Sequence, residues 1–231
     1  MRILAIETST KNLSMAIADD ERVLAEYKGD AILRHSHDLI PNIENMLNKL
    51  KLELIAIDSF AISIGPGSFT GLRIGVSILK GLNLVTRIPI ITVPTLDAIA
   101  YNSIDAVVPI CVIVDAKKKN LYASLYKSQD GGIIKLRDYL IISPEELIKE
   151  LIRDIKESVL FAGDGAGLYE RPISDRLKGA KFAPEDCWYP DAKVIARMGV
   201  EKFKRGDFAE PDTLVPMYIY SHKCSIRGID R

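Results

Sequence analysis

The segment Ser63–Val76, SIGPGSFTGLRIGV, places four glycines between an apolar run and an apolar helix. Glycine-rich turns that precede helices often hold phosphate groups, but the spacing here fits neither common form. A Walker-type loop needs Lys followed by Ser or Thr after its second glycine, whereas the first lysine after Gly67 is Lys80. A GxGxxG loop fails too, because the third glycine comes one position late and Pro66 lacks an amide donor. The segment therefore predicts another role.

The helix that follows, predicted from Thr70 to about Thr86, is apolar around much of its circumference. Its glycines and aliphatic side chains fill an arc of roughly 220°, about twice what a helix on the outside of one lobe needs. Gly71 and Gly75 lie on that arc and would let another backbone come close. The surplus is covered either by the chain's own second lobe or neighbouring helix, or by a partner protein, and we favour a partner helix.

The rest of the chain is predicted to form two similar α/β halves. Three strands, a helix, a strand, the glycine segment with its helix, a further strand and a short crossing helix make up the first half. A second three-strand meander follows, and it leads into a helix with Ser143 as the cap and Glu146 at capping-box spacing. We therefore predict lobes at residues 1–105 and 106–231, the second including a tail after Pro216 that is expected to lie across the surface.

Composition limits the class of protein further. The chain has 231 residues, 48% of them hydrophobic, and its 31 basic side chains balance 31 acidic ones. No global charge attracts a polyanion, so contact with nucleic acid must be local or supplied by a partner. No apolar run suits a signal peptide or a membrane span, so a cytoplasmic protein without membrane contact is expected. Three scattered cysteines, and the unsuitable spacing of His35 and His37, predict no metal site.

Two polar turns are candidate ligand-binding loops. The turn ETSTKN can hold phosphate through its hydroxyls, with its carboxylate binding magnesium through water. The same residue types favour turns by bonding their own backbone, and we prefer that interpretation. The turn GDGAGL could contact a ribose or a base, but a strand-to-helix turn also needs glycine, and DAKKKN is interpreted as a solvated hairpin turn. The candidate residues are Glu7, Thr8, Ser9, Asn12, Gly163 and Gly165.

Four stretches together resemble the bacterial TsaB family, also called YeaZ: ILAIETSTKNLSMAI, RHSHDLIPNIENML, IDSFAISIGPGSFTGLRIGVSILKGL and IPIITVPTLDAIA. The resemblance is strong over about the first hundred residues, and GPGSFTGLRIG is its most specific part. The second half resembles the family mainly in the order of its strands and helices, with weaker sequence similarity in VDAKKKNLYASLY and PMYI. The resemblance implies the α/β fold of the actin, Hsp70 and sugar-kinase superfamily, with two duplicated lobes.

The same resemblance implies a function. Members are expected to be non-catalytic activating subunits that bind TsaD, which transfers threonylcarbamoyl to the adenosine beside the anticodon of tRNAs. The ATPase TsaE is expected to join the pair, a homodimer is expected when TsaD is absent, and tRNA is expected to be contacted only indirectly. No cofactor of its own is implied, although ATP and magnesium could act at the level of the complex.

The resemblance also implies where the partner binds. We expect the glycine helix and the helix before it to pack against TsaD, with Arg73 pairing with an acidic group across the seam. TsaD holds a metal through an HxxxH helix, but the matching positions here are about Thr95 and Ile99, which argues against TsaD itself. The predicted interface residues are Leu39, Ile43, Met46, Gly71, Leu72, Arg73, Gly75, Val76, Leu79 and Leu82.

An alternative is an enzyme of the same superfamily that acts alone, either a small kinase or a carbamoyl-type transferase. Its support is that the two candidate loops could frame a nucleotide between the lobes. Glu7 weakens it, because the superfamily more often has Asp there and the longer side chain would displace a magnesium-bound water. Turnover of ATP by the purified chain separates the enzyme from the activating subunit.

Overall fold

The computed structural model describes residues 1–30 and 35–219. The side chains of His35 and His37, and the residues His222 and Cys224, lie outside this description. The strands are β1 (Arg2–Glu7), β2 (Asn12–Asp19), β3 (Arg22–Asp30), β4 (Ser59–Ser63), β5 (Ile90–Val93), β6 (Ile110–Asp115), β7 (Leu121–Gln129), β8 (Gly132–Ile142), β9 (Val159–Ala162) and β10 (Ala180–Phe182). The helices are α1 (His35–Leu50), α2 (Phe69–Thr86), α3 (Thr95–Tyr101), α4 (Pro144–Asp154), α5 (Asp164–Arg176) and α6 (Ala192–Lys204). None of these described helices is both long and apolar enough to cross a membrane.

The two halves build five-stranded sheets with the same strand order. The first sheet runs β3-β2-β1-β4-β5, and the second runs β8-β7-β6-β9-β10. In each sheet the first three strands form an antiparallel meander, and the last two pair in parallel alongside the first strand of that meander. The duplicated two-lobe plan predicted from the sequence is confirmed.

Helices cover both faces of the first sheet, which is why β1 and β4 are almost continuously apolar. On one face, Leu4 and Ile6 belong to a core that also takes in α1 and α2. On the other face, Ile3 and Ala5 pack against α6. The glycine helix α2 is therefore an outer helix of the first lobe.

Helix α6 follows the second sheet in the chain but packs on the first, where it contacts β1, β2, β4 and β5. Small side chains make this close approach possible, since a Cβ atom added at Gly199 would lie 3.1 Å from the Cβ atom of Ala61. The boundary near residue 105 stays a prediction. The packing nevertheless joins α6 to the first lobe, whereas the sequence analysis placed it with the second.

Helix α3 connects the lobes. Asp97 on α3 accepts hydrogen bonds at Oδ1 from the hydroxyls of Tyr126 (2.7 Å) and Tyr139 (2.8 Å) in the second sheet. Leu96 and Ile99 on the same helix belong to a buried cluster with residues of β6 and β7. Apolar packing and a charge-assisted pair of bonds thus fix α3 against the second lobe.

The segment after α6, residues 205–219, lies across the first lobe, and we call this whole segment the tail. The amide of Ala209 donates to the carbonyl of Ile90 (2.8 Å), and the amide of Met217 donates to the carbonyl of Ile64 (2.7 Å). Between them, Leu214 is buried in the core formed with α1 and α2. The tail therefore runs along one flank of α2.

Candidate functional site

The start of α2 is fixed by the chain's own first turn. Ser68 caps the helix by accepting a hydrogen bond from the amide of Gly71 (3.2 Å), and its own amide donates to the carbonyl of Ser9 (2.6 Å). A Cβ atom at Gly71 would collide with the carbonyl of Thr8, and one at Gly75 would lie 2.5 Å from the Thr8 hydroxyl. The close backbone approach that these glycines permit is therefore made by the turn after β1, not by a partner.

Most of the predicted interface residues form the core of the first lobe. The ten side chains divide into eight that are buried by the chain itself and two that reach the surface. Leu82 is half-buried and Arg73 is exposed. The expectation that an outward-facing surface is built from the other eight needs correction, because the sheet beneath α1 and α2, the turn after β1 and the loop before α2 already cover them. These eight are Leu39, Ile43, Met46, Gly71, Leu72, Gly75, Val76 and Leu79.

Arg73 is held by the chain's own tail. Its guanidinium lies 3.8 Å from the ring centre of Phe69, and its Nε donates to the hydroxyl of Tyr218 (3.1 Å). Two turns further along, Lys80 donates to the carbonyls of Asp212 (3.3 Å) and Leu214 (3.5 Å). Within the described structure the flank of α2 that carries these cations is thus occupied by the tail.

A third face of α2 stays open, and we call it the α2 stripe: Ile74, Ile78, Leu82 and Val85. At 100° per residue these four side chains fall within about 80° of one another. The first three are half-buried, whereas Val85 is 84% exposed. The apolar surplus predicted from the sequence is therefore divided among the sheet, the tail and this stripe.

Beside the α2 stripe lies an apolar groove of about 400 Å³, lined by α1, by residues 52–54 that follow it and by Leu82 of α2. Ile40 on α1 forms part of its wall and is 44% exposed, and Leu82 forms part of the opposite wall. Glu44 and Glu53 are the charged residues of the groove. The stripe and the groove together form one continuous region of exposed apolar side chains on the first lobe.

The carboxyl group of Glu7 is buried, not directed at a ligand. Its Oε1 accepts hydrogen bonds from the amide and the hydroxyl of Ser9, both at 2.5 Å. Its Oε2 has no hydrogen-bond partner among the described residues. Burial raises the pKa of Glu7 to about 7. Thr8 is buried beneath α2 and Asn12 begins β2, whereas Ser9 and Thr10 of the same turn line the cleft described below.

The glycines of the second candidate loop serve packing. Gly163 has φ +96°, and a Cβ atom there would collide with the carbonyl of Ile113 on β6. A Cβ atom at Gly165 would lie 2.9 Å from the same carbonyl. Both glycines thus let the start of α5 approach β6, and neither of them lines the cleft described next.

An interlobe cleft of about 690 Å³ opens between the turn after β1 and the start of α2 on one side, and the turn after β6 and the start of α5 on the other. On the side of the second lobe, the ammonium of Lys117 bonds to the carboxylate of Asp115 (2.6 Å), and Asp164 accepts from the amide of Asp115 (3.0 Å). Burial raises the pKa of Asp164. Of the six candidate loop residues only Ser9 lines this cleft. The full lining is Ser9, Thr10, Lys11, Gly67, Ser68, Phe69, Thr70, Gly71, Ile74, Val114, Asp115, Ala116, Lys117, Tyr122, Asp164 and Tyr189.

Sequence reasoning missed most of the charged and aromatic residues of the cleft. Lys11 and Asp115 lie in the turns ETSTKN and DAKKKN but were not among the candidate residues, and they come together with Tyr189 only when the lobes assemble. One signal was available, because polar turns follow β1 and β6 at corresponding places in the two sheets. Among residues 1–30 and 35–219, no cluster of three or more His, Cys, Asp or Glu side chains could hold a metal ion.

The two matching sheets and the cleft between them give the chain the fold of the actin, Hsp70 and sugar-kinase superfamily. YeaZ from Pseudomonas aeruginosa superposes with a TM-score of 0.82 at 24% identity, covering 94% of this chain and 99% of that one. A polyphosphate/ATP-glucomannokinase from Arthrobacter has the same fold at 9% identity, with a TM-score of 0.54 over 87% of this chain and 98% of its own.

Sequence comparison narrows the class to one family. The family model described as "TsaD: tRNA N6-adenosine threonylcarbamoyltransferase" matches residues 13–206. The tRNA threonylcarbamoyladenosine biosynthesis protein TsaB of Bacillus subtilis is 30% identical over 234 residues, covering 100% of this chain and 99% of that protein. The chain belongs to the TsaB family, within the wider group that the TsaD model describes.

Proposed function

We propose that this chain takes part in tRNA threonylcarbamoyladenosine biosynthesis as a non-catalytic subunit that docks to a TsaD-type protein and activates it. Its TsaB relative in Bacillus subtilis is named for that biosynthesis and matches along essentially the whole chain. The match to a TsaD family model supports a partner of related fold, because related lobes present related helices to each other.

The observation that carries the docking proposal is the α2 stripe. An isolated protein gains nothing from leaving Val85 84% exposed beside three half-buried aliphatic side chains and an apolar groove. Exposed apolar surface of this kind, with polar residues at its edge, is typical of protein interaction sites. Burying Val85 from that exposure would stabilise a complex by about 1–2 kcal/mol.

The two flanks of the stripe limit the direction of approach. The tail covers the side that carries Arg73 and Lys80, so a partner cannot pack there without displacing it. On the other side the groove between α1 and α2 remains open, with Ile40 exposed on its wall. A helix of the partner would therefore lie along the stripe and against α1. Leu82, one of the interface residues predicted from the sequence, would lie at the centre of that contact.

Several further roles are proposed with less structural support. A second copy of this chain would use the same stripe when the TsaD-type protein is absent, so the homodimer and the heterodimer would exclude each other. A TsaE-type ATPase would join the assembled pair, with ATP and magnesium acting at that level. We also propose a cytoplasmic location and tRNA contact mainly through the TsaD-type protein.

The enzyme that acts alone is the weaker candidate. In this alternative the turns ETSTKN and GDGAGL bind a nucleotide between the lobes. However, Glu7 and Thr8 of the first turn are buried, and Gly163 and Gly165 of the second pack on β6. A kinase would have to use other cleft residues, of which Asp164 is the one suited to act as a base. Hydrolysis of ATP by the isolated chain, lost in Asp164→Asn, would favour this candidate over the activating subunit.

The docking proposal is tested by the affinity of the chain for a TsaD-type protein, measured by calorimetry. Val85→Asp would place an unpaired charge in the interface, so the affinity for the TsaD-type protein should fall at least about tenfold. Val107→Asp is the matched control, because Val107 is 95% exposed in the turn before β6, away from the stripe. Equal affinities of the two variants would refute docking through the stripe.

A further inference from the structure

Two aromatic–cation pairs lie at the mouth of the interlobe cleft. Phe69, which is 53% exposed, lines the cleft and is covered on one side by the guanidinium of Arg73 at 3.8 Å. The ring of Tyr218 lies 5.5 Å away from that of Phe69. This gives the first lobe an exposed aromatic surface with a cation beside it.

The second pair also borders the cleft. Lys11 places its ammonium 5.1 Å from the ring centre of Tyr189, and both residues line the cleft. Lys117 extends from the turn after β6, with 83% of its side chain exposed. Two aromatic rings that line one cleft, those of Phe69 and Tyr189, therefore each have a cation beside them, in a protein whose overall charge is zero.

We propose that the mouth of this cleft binds single-stranded nucleic acid, with unstacked bases on Phe69 and Tyr189 and phosphates beside Arg73 and Lys11. Stacking platforms next to a cationic track are the means by which proteins hold single strands without reading their sequence. Every base offers a ring face, so the contact needs no sequence motif.

The floor of the cleft determines which part of the ligand enters. Asp115 and Asp164 place carboxylates there; that of Asp115 is paired with Lys117, and that of Asp164 would repel the phosphates of a free nucleotide. The same carboxylates accept hydrogen bonds from the amino groups of bases. The arrangement therefore favours bases inside and phosphates at the rim, and a cleft of about 690 Å³ is as large as typical small-molecule sites, roughly 300–1,000 Å³.

The choice of RNA as the single strand rests on the proposed function, but the binding itself does not require a docked partner. It can be measured on the isolated chain, whereas docking is measured with a TsaD-type protein and the stripe variants. A failure of one measurement is thus distinguishable from a failure of the other.

The test is the fluorescence anisotropy of a labelled, unstructured RNA of about twelve nucleotides, titrated with the chain at several salt concentrations. Phe69→Ala should weaken binding roughly 5- to 100-fold. Lys11→Gln should reduce the slope of log affinity against log salt by about 0.7, the value for one phosphate contact on a single strand. The sole tryptophan, Trp188, precedes Tyr189 in the chain and supplies a second, intrinsic signal.

Matched controls keep the test specific. Phe208→Ala removes a partly exposed ring from the tail, and Lys181→Gln removes an exposed charge from β10, so both should bind like the wild type. Thermal melts should show all four variants folded. The proposal is overturned if the wild type does not bind the RNA at low salt, if Phe69→Ala binds as well as Phe208→Ala, if a duplex of the same sequence binds equally, or if ATP displaces the RNA as effectively as unlabelled RNA does.

Discussion

Replacing Glu7 with Gln should change how the stability of the protein depends on pH. Glu7 is fully buried, and its Oε1 accepts two hydrogen bonds from Ser9 while its Oε2 has no partner among the described residues. A glutamine keeps an acceptor for Ser9 but never carries a charge. The variant therefore removes the cost of ionising this buried group and leaves its shape.

The magnitude follows from the pKa. Burial raises the pKa of Glu7 from 4.5 to about 7, a difference that corresponds to about 3 kcal/mol. Since the folded state holds the proton more tightly than the unfolded state, the wild type loses stability as pH rises from about 4.5 to about 7, and little more above that. The advantage of Glu7→Gln should thus be small at pH 4 and approach about 3 kcal/mol at pH 8.

The assay is urea unfolding of both proteins at a series of pH values, with the difference in unfolding free energy plotted against pH. Glu44→Gln, an exposed carboxyl on α1, is the control and should give a small difference throughout. A difference between wild type and Glu7→Gln that does not change with pH would refute the reasoning, because it would mean that Glu7 ionises normally in the folded protein.

Three further substitutions test the packing around α2 by the free energy of unfolding. Gly71→Ala should destabilise the protein by about 1–3 kcal/mol, since its methyl group would collide with the carbonyl of Thr8, and an unchanged stability would contradict that contact. Leu214→Ala should cost about 2–4 kcal/mol because the tail residue is buried in the first core, and a loss below about 0.5 kcal/mol would mean the tail is not packed in solution. Arg87→Gly should be neutral or stabilise by up to about 1 kcal/mol, because Arg87 caps α2 at φ 61°, and a clear destabilisation would exclude that conformation.

Local sequence patterns predicted the elements of the fold well, for physical reasons. Ser143 and Glu146 form the predicted capping box at the start of α4. The glycine segment is followed by a helix from Phe69 to Thr86, one residue from the predicted start. These features depend on neighbours in sequence, where propensity and periodicity act directly. The repeated order of elements likewise predicted two lobes.

The sequence could not predict which element covers which face. The arc of α2 indicated more apolar surface than one sheet requires, but the tail that covers part of it lies far along the chain and has no periodic pattern. Gly75 was expected to face a partner, whereas its neighbours are the Thr8 side chain and Ile62. The alternative enzyme placed the ETSTKN and GDGAGL turns around a site between the lobes, and Lys11 and Asp164 of those turns do line the cleft. Which side chains of the two turns face the cleft could not be predicted, because that depends on how the lobes assemble.

Activation of a TsaD-type protein through the α2 stripe is the central proposal for this chain. The direct measurement is the rate at which a TsaD-type protein, supplied with its substrates and a TsaE-type ATPase, forms threonylcarbamoyladenosine on tRNA as the chain is titrated in. We predict that wild type and Val107→Asp raise the rate to the same plateau at the same concentration, and that Val85→Asp needs at least about tenfold more protein. Full activation by Val85→Asp at the wild-type concentration, or no activation by the wild type, would contradict the account.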